Sequence, residues 1–251
     1  MTPILQTVDL SVHFSGVHAV NDVNLALEPG SIHGVIGPNG AGKSTFFNAV
    51  SGFAPATTGK IIFKGVDITK DPPHGRAARG IQRTFQSVQL VKSMTVLENI
   101  LVGLHASTVV RFPGWGGAGA ERAVDRATHI AELFGLQHVL SQEVGALSFR
   151  NQRFTEVARA MVSRPQLLML DEPAGGLSPQ EIAEFETLLL KLRKEMGLTI
   201  LLVEHVISLV MKVCERVSVL EMGRLIASGT GPEIAANPRV ISAYLGEAAD
   251  A

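Results

Sequence analysis

A glycine-rich run with an embedded lysine is the clearest chemical pattern in the sequence. The run GPNGAGKST occupies residues 37–45 and fits the spacing G-x-x-x-x-G-K-[ST]. Glycines at this spacing let backbone N–H groups point at a phosphate, the lysine adds a positive charge, and the serine hydroxyl can ligate Mg²⁺. The run therefore predicts a nucleoside triphosphate site formed by Gly37, Pro38, Asn39, Gly40, Ala41, Gly42, Lys43, Ser44 and Thr45.

Two acidic residues follow an apolar segment later in the chain. In QLLMLDE, residues 166–172, Asp171 lies at the end of a predicted buried strand and Glu172 comes next. We expect Asp171 to hold Mg²⁺ and Glu172 to activate or orient the water that attacks the γ-phosphate. A solvated helix start is the alternative for such an acid pair. The apolar strand before it and the glycine-rich run disfavour that alternative.

Polar residues after two other predicted strands complete the candidate site. LLVEH, residues 201–205, places His205 after an apolar strand, where it can contact the γ-phosphate or brace Glu172. Gln86 follows the strand-like IQRTF and is similarly placed for contacts to water and Mg²⁺. Neither residue would indicate a function alone, so their interpretation depends on the two motifs above.

Composition and charge limit the class of protein. The 251 residues allow one large domain or two small ones. With 22 Lys and Arg against 23 Asp and Glu, the net charge is −1, and no basic excess indicates a nucleic-acid partner. No signal peptide is expected at the N-terminus, and no apolar run approaches the ~20 residues of a spanning helix. The mean hydropathy of +0.25 favours burial against a protein partner.

Apolar periodicity predicts an α/β fold with a largely parallel sheet, because strands and helices alternate in the second half of the chain. Strands are expected at Ile4–Leu10, Val20–Leu27, Ile32–Ile36, Lys60–Phe63, Ile81–Phe85, Gln166–Leu170, Leu198–Val203, Arg216–Glu221 and Arg224–Ser228. Helices are expected at Lys43–Ser51, Thr95–His105, Ala120–Phe134, Asn151–Val162, Pro179–Met196 and His205–Val213. The glycine-rich stretch Ala106–Ala120, which contains Trp115, predicts an exposed loop.

The motifs, taken in order, resemble those of the ATP-binding subunits of ABC transporters over essentially the whole chain. The set comprises Phe14, GPNGAGKST, Gln86, LSFRNQR, QLLMLDEP, AGGLS and LLVEH. The resemblance implies one domain, 1–251, of P-loop NTPase type, with a mostly parallel sheet and an antiparallel β subdomain. Residues 1–86 and 163–251 would form the nucleotide-binding core, and residues 87–162 a helical subdomain that carries the signature motif.

The same resemblance assigns roles to individual residues. It implies a head-to-tail dimer in which each ATP lies between one subunit's P-loop and the other's signature, including Ser148 in trans. Phe14 matches the aromatic residue that stacks on adenine, with packing in the core as a competing role. Gln86 matches the glutamine that links the Mg²⁺ site to the groove for the membrane subunit, and His205 matches the switch histidine.

Two further segments narrow the resemblance. RTFQSVQLVKSMTVLENILVG after the predicted strand and NPRVISAYLGE near the end are similar to ATPases of branched-chain amino-acid uptake systems. This implies an Mg²⁺-dependent ATPase at the cytoplasmic face of the inner membrane. Its partners would be a second ATPase subunit, membrane permeases and, indirectly, a periplasmic binding protein. The alternatives are a lipopolysaccharide-export ATPase, a nucleotide-gated subunit with little hydrolysis, and a soluble ABC protein acting on ribosomes or DNA.

The signature region departs from the family pattern. In LSFRNQR, Arg150 replaces a glycine and Asn151 replaces a glutamine, while AGGLS has Ser178 where aspartate is common. A guanidinium at a helix N-terminus adds bulk and a cation where the helix dipole is already positive. We therefore expect Arg150 to obstruct the partner's phosphate rather than bind it. The hypothesis that follows is a heterodimer with one good site, in preference to a homodimer.

Overall fold

The computed structural model describes residues 2–106 and 118–249, and the predicted loop with Trp115 lies largely outside them. The described strands are β1 Leu5–Phe14, β2 Val17–Leu27, β3 Ile32–Ile36, β4 Thr58–Phe63, β5 Val66–Asp67, β6 Ile81–Arg83, β7 Leu167–Asp171, β8 Thr199–Val203, β9 Arg216–Glu221 and β10 Arg224–Gly229. The described helices are α1 Lys43–Ser51, α2 Pro73–Ala78, α3 Val96–Val102, α4 Ala118–Leu133, α5 Phe149–Met161, α6 Pro179–Met196, α7 Ile207–Val213, α8 Gly231–Ala235 and α9 Pro238–Ala249.

A six-stranded sheet with the order β10-β9-β3-β8-β7-β6 forms the centre of the molecule. All of its pairs are parallel except β9 with β10. Successive residues of β7 face opposite sides: Leu167 and Met169 join one apolar cluster, whereas Leu168 and Leu170 join the other. The strand therefore reads as a continuous apolar run because both of its faces are covered.

A second, antiparallel sheet with the order β2-β1-β4-β5 covers one side of the central sheet together with α1. Helices α3 to α7 contribute to the cluster on the other side. The fold is thus α/β, with a mostly parallel sheet, an antiparallel β layer and a helical region, which confirms the predicted fold class. Helices α3, α4 and α5 fall within residues 87–162, for which the helical subdomain remains a prediction.

Several predicted bounds match the structure, and the misses have local causes. Strand β1 was expected to end at Leu10 but continues to Phe14. Backbone irregularities, including Asp9 at φ +47°, interrupt the alternation of its side chains, so the sequence pattern underestimates its length. Helix α3 ends at Val102 and a 3₁₀ turn follows it, and α7 begins at Ile207 rather than His205. The expected strand Ile81–Phe85 ends at Arg83. The elements without a sequence prediction are β5, α2, α8 and α9.

The missed helix α2 has no apolar period and depends on one buried arginine. Arg76 is 2% exposed, and its guanidinium donates to backbone carbonyls of Ala49 and Val50 near the end of α1. Tertiary hydrogen bonds, not amphipathicity, therefore fix this short helix. Within residues 2–106 and 118–249, no helix is both long and apolar enough to cross a lipid bilayer.

Candidate nucleotide site

The glycine-rich run forms the turn between β3 and α1, as its sequence context predicts. Gly37 has φ +152° and Gly42 has φ +97°. A Cβ atom at Gly37 would overlap the carbonyl oxygen of Leu220, and one at Gly42 would overlap that of Ala19. Both positions therefore require glycine for close approach of neighbouring backbone as well as for backbone conformation.

Lys43 is the first residue of α1 and lies inside the loop that precedes it. Its side chain is largely buried, and its Nζ donates to the carbonyl oxygens of Gly37 at 2.7 Å and Pro38 at 2.8 Å. These bonds hold the ammonium beside the N–H groups of the helix N-terminus, where an anion is favoured. Asn39, Gly40 and Ser44 are exposed around it, whereas Ala41 is buried and Thr45 half-buried.

The other predicted site residues lie at the same edge of the sheet. The parallel strands β3, β6, β7 and β8 all end there, since their carboxyl ends point the same way. Asp171 is the last residue of β7, Gln86 follows β6, and His205 follows β8. The crevice outside the carboxyl ends of parallel strands is the usual ligand site of open α/β sheets.

Glu172 is the centre of a small polar cluster. Its Oε2 accepts a hydrogen bond from Gln86 Nε2 at 2.8 Å and lies 3.7 Å from His205 Nδ1. Its backbone has φ +47°, an uncommon conformation for glutamate, and its N–H donates to Val203 O at 2.9 Å. The bond to the end of β8 holds this strained turn, so the carboxylate is presented toward Gln86 and His205.

Asp171 forms a buried ion pair that the sequence analysis missed. Its Oδ2 accepts from Arg83 Nη2 at 2.9 Å, and both side chains are only 8% exposed. Arg83 also donates to Asn48 Oδ1 and Ser51 Oγ on α1. Burial raises the pKa of Asp171, Arg83 opposes that rise, and Glu172 adds to it. Arg83 therefore favours the charged form of a carboxylate whose burial favours the neutral form.

A second missed residue is Glu204, next to His205. Its side chain is fully buried, and its carboxylate accepts from three backbone N–H groups: Ala174 at 2.7 Å, His205 at 3.0 Å and Val206 at 3.1 Å. These bonds fasten the turn after Glu172 to the end of β8, and they keep residues 205 and 206 outside α7. A carboxylate after an apolar strand was the available sequence cue.

Phe14 ends β1 in a tight hairpin with β2. Its side chain is 47% exposed and belongs to neither apolar cluster, so the competing interpretation of core packing is wrong. An exposed ring at a hairpin end offers a face for stacking. Its contact with adenine stays a prediction.

The start of α5 contains the altered signature. Ser148 is the N-cap, and its Oγ accepts from Asn151 N at 3.4 Å. Arg150 Nε and Nη2 donate to Glu184 Oε2 on α6 at 2.9 and 2.7 Å, and Nη1 donates to Asn151 Oδ1. A carboxylate of the neighbouring helix therefore pairs with the cation that Arg150 adds at the start of α5. Whether the arginine obstructs a phosphate stays a prediction.

Helix α5 also holds the segment that contains Gln86. Arg153, 2% exposed, donates to the carbonyl oxygens of Phe85 at 3.0 Å and Gln86 at 2.9 Å, and pairs with Glu156. The Glu156 Oε1 atom accepts from Gln89 N at 3.1 Å. The helix that begins with the signature therefore binds the backbone around Gln86 directly.

A phosphate loop between a parallel strand and a helix, with polar side chains after adjacent strands, defines a P-loop nucleotide-binding protein. Residues 20–175 match the family described as ABC transporter, and residues 224–250 match the one described as Branched-chain amino acid ATP-binding cassette transporter. The chain belongs to the ABC transporter family, as one of its ATP-binding ATPase subunits.

Known proteins similar to the chain span nearly all of it. The branched-chain amino acid transport ATP-binding protein BraF of Pseudomonas aeruginosa is 42% identical, covering 98% of this chain and 99% of its own. The protein LivG of Escherichia coli is 43% identical over the same shares. Among solved structures, an ABC transporter cassette in its ADP conformation has a TM-score of 0.87 at 30% identity, covering 98% of this chain and 100% of that one.

Proposed function

We propose that this chain hydrolyses ATP to drive uptake of branched-chain or other hydrophobic amino acids through membrane permease subunits. The family match near the C-terminus and the branched-chain amino acid transport function of BraF and LivG support uptake over lipopolysaccharide export. The working assembly would lie at the cytoplasmic face of the inner membrane. It would contain two ATPase subunits and two permeases, with a periplasmic binding protein delivering solute and no nucleic acid taking part.

The observation that most directly supports ATP hydrolysis is the polar cluster around Glu172. Its Oε2 is bonded to Gln86 and lies near His205, so one carboxylate oxygen is oriented from two sides. In this proposal Glu172 accepts a proton from, or orients, the attacking water, and His205 contacts the γ-phosphate or braces Glu172. Lys43 and the loop N–H groups bind the phosphates, and Phe14 stacks on adenine.

The residues present fit a magnesium ion. Ser44 hydroxyl, Gln86 amide oxygen and Asp171 carboxylate are hard oxygen donors, the kind that Mg²⁺ prefers. The bond from Gln86 Nε2 to Glu172 turns the amide nitrogen toward the acid and leaves the amide oxygen for a ligand role. When bound, Mg²⁺ would neutralise charge that develops on the phosphates during hydrolysis. Arg83 opposes the effect of burial on Asp171 and so favours the ionised form that a metal ligand needs.

Replacing Glu172 tests the assignment. We expect Glu172→Gln to bind ATP with unchanged affinity and to lower turnover at least ~100-fold, because removing a positioned base costs about that factor. Glu195→Gln, at an exposed position of α6, is the matched control and should leave turnover unchanged. Measurement uses phosphate release by the ATPase pair, with ATP affinity followed by a fluorescent analogue. Unchanged turnover in Glu172→Gln would sink the assignment.

The altered signature supports a heterodimer with one good site. The chain's own P-loop, acid pair and His205 lie at one sheet edge, whereas Arg150 stands where the family has glycine. In a heterodimer, this chain's P-loop would meet the partner's signature, and the site that uses Arg150 would be weak. A nucleotide-gated subunit with little hydrolysis is the second candidate, and the same arginine favours it.

Reversion of Arg150 separates these possibilities. ATP turnover is measured for the chain alone and for the chain with its partner ATPase, each with and without Arg150→Gly. We expect little turnover alone, a marked gain for Arg150→Gly alone, and good turnover with the partner in either form. Full turnover by the unmodified chain alone, unaffected by the substitution, contradicts the heterodimer hypothesis. No turnover in any combination favours the nucleotide-gated subunit.

A further inference from the structure

A cavity of about 540 Å³ lies at the edge of the central sheet opposite the nucleotide site. Its lining includes Gln166 and Leu198, which directly precede β7 and β8, and Pro29, which lies three residues before β3. The P-loop lies at the carboxyl ends of the same strands. Five-residue strands separate the two edges by about 15 Å, so the cavity is distinct from the candidate nucleotide site.

The helical region and the central-sheet region both contribute residues to the walls of this cavity. Helix α4 provides Arg126, His129 and Ile130, and the end of α5 provides Met161. The central-sheet side provides the segments around Pro29 and Leu198. A molecule bound here would therefore contact the helical region and the sheet together.

Two arginines line the cavity, Arg126 half-buried in its wall and Arg164 exposed at its rim. Arg126 Nε is buried and has no hydrogen-bond partner among the described residues. In that part of the chain, neither Arg126 nor Arg164 forms an ion pair. Burial, reinforced by repulsion from Arg164, lowers the pKa of Arg126. Since a buried donor without an acceptor is costly, the cavity favours an anion beside these guanidinium groups.

His129, the other ionisable residue of the lining, is exposed, as Arg164 is. His129 Nδ1 is 4.0 Å from Glu132 Oε2, and the two side chains are 70% and 58% exposed. The rest of the wall is mostly apolar, with side chains of Ile4, Pro29, Ile130, Met161, Met196 and Leu198. A bare inorganic anion would leave these walls without a partner, whereas an apolar body would cover them.

We propose that this cavity binds a small organic carboxylate, with the carboxylate on Arg126 and Arg164 and a short apolar chain against the methionine and isoleucine walls. The planar guanidinium suits a carboxylate because it donates two parallel hydrogen bonds. The site is independent of the proposed transport function. It requires neither a nucleotide nor a partner subunit.

Methionine methyl groups report on this site directly. The probe is 4-methylpentanoate, titrated into the full chain carrying ¹³C-methyl methionine, with saturating ATP and EDTA present. Met161 and Met196 line the cavity, whereas Met222 lies in the exposed turn between β9 and β10. We expect saturable shifts at Met161 and Met196, none at Met222, and a Kd on the order of 1 mM, typical of a ligand with so few atoms.

Variants and related probes make the test decisive. Arg126→Gln should weaken binding at least ~10-fold, Arg164→Gln should weaken it as a second variant, and Arg122→Gln on the exposed face of α4 should not. 4-Methylpentanol and inorganic phosphate should each bind at least ~10-fold more weakly than the acid. Equal binding by folded Arg126→Gln, no binding of the acid in the presence of saturating ATP, or phosphate binding as tight as the acid each overturns the proposal.

Discussion

The side chains around Asp171 and Glu172 act mainly by stabilising the charge of these two carboxylates and by orienting them. Arg83 pairs with Asp171 in a place where both are 8% exposed, and it also bonds Asn48 and Ser51 on α1. One arginine thus connects β6, β7 and the helix of the P-loop. Its effect on Asp171 is electrostatic, since it opposes the rise in pKa that burial causes.

Removing Arg83 should leave a buried carboxylate without a partner. We expect Arg83→Met to lower the free energy of unfolding by about 3–5 kcal/mol, the usual cost of breaking a buried ion pair from one side. Urea denaturation measures this. Arg79→Met is the control, because the Arg79–Asp71 pair is 42% and 28% exposed and should contribute at most about 1 kcal/mol.

The double variant distinguishes charge from packing. If the loss comes from the uncompensated carboxylate, Arg83→Met combined with Asp171→Asn should recover a substantial part of it, as a double-mutant cycle detects. No recovery would mean that Arg83 stabilises the fold instead through its hydrogen bonds to α1 and its contacts with the rings of Phe47, Phe53 and Phe85.

At the scale of elements, α5 connects the signature region to the segment that follows β6. Its first turn carries Ser148 and Arg150, the latter bound to Glu184 on α6. Its middle carries Arg153 and Glu156, which bind the backbone that follows β6. A displacement of α5 would therefore be transmitted to the segment of Gln86. This is a physical connection between the signature region and the acid pair within one subunit.

Hydrogen exchange tests this connection. Lysine cannot reproduce the two-carbonyl contact of Arg153, so Arg153→Lys should increase amide exchange over residues 85–89 at least ~10-fold. Arg150→Lys, on the same helix but bonded to Glu184 of α6, is the control and should leave that peptide unchanged. Mass spectrometry of peptides covering the segment provides the measurement. Unaltered exchange in Arg153→Lys would show that other contacts hold this backbone.

At the scale of the molecule, two sheets and a helical region pack together, and several polar side chains are buried within them. His33 on β3 is one of these, with its Nε2 atom 2.9 Å from Ser218 Oγ. Burial, together with repulsion from Arg216, lowers the pKa of His33 from 6.5 to about 4. The folded protein therefore resists protonation of a histidine that the unfolded chain protonates readily.

This difference predicts a loss of stability in mild acid. The contribution of His33 is fully present above the unfolded pKa of 6.5 and declines as the pH falls toward about 4. Between about pH 7.5 and about pH 5, the unmodified chain should lose about 2 kcal/mol more unfolding free energy than His33→Gln. Urea unfolding at both pH values measures this, with exposed His138→Gln as the control. Equal losses would contradict the burial argument.

The sequence alone determined the fold class, the P-loop and the strand ends that carry Asp171, Glu172, Gln86 and His205. These follow from local patterns, since glycine spacing and continuous apolar runs have few structural solutions. Only the tertiary structure determined which groups these side chains contact. Arg83 pairs with Asp171, Glu204 accepts hydrogen bonds from three backbone N–H groups, and Arg150 pairs with Glu184. The contacts Arg83–Asp171, Glu204–Ala174 and Arg150–Glu184 join residues 88, 30 and 34 positions apart, so no local pattern encodes them. They form only when the strands and helices have packed.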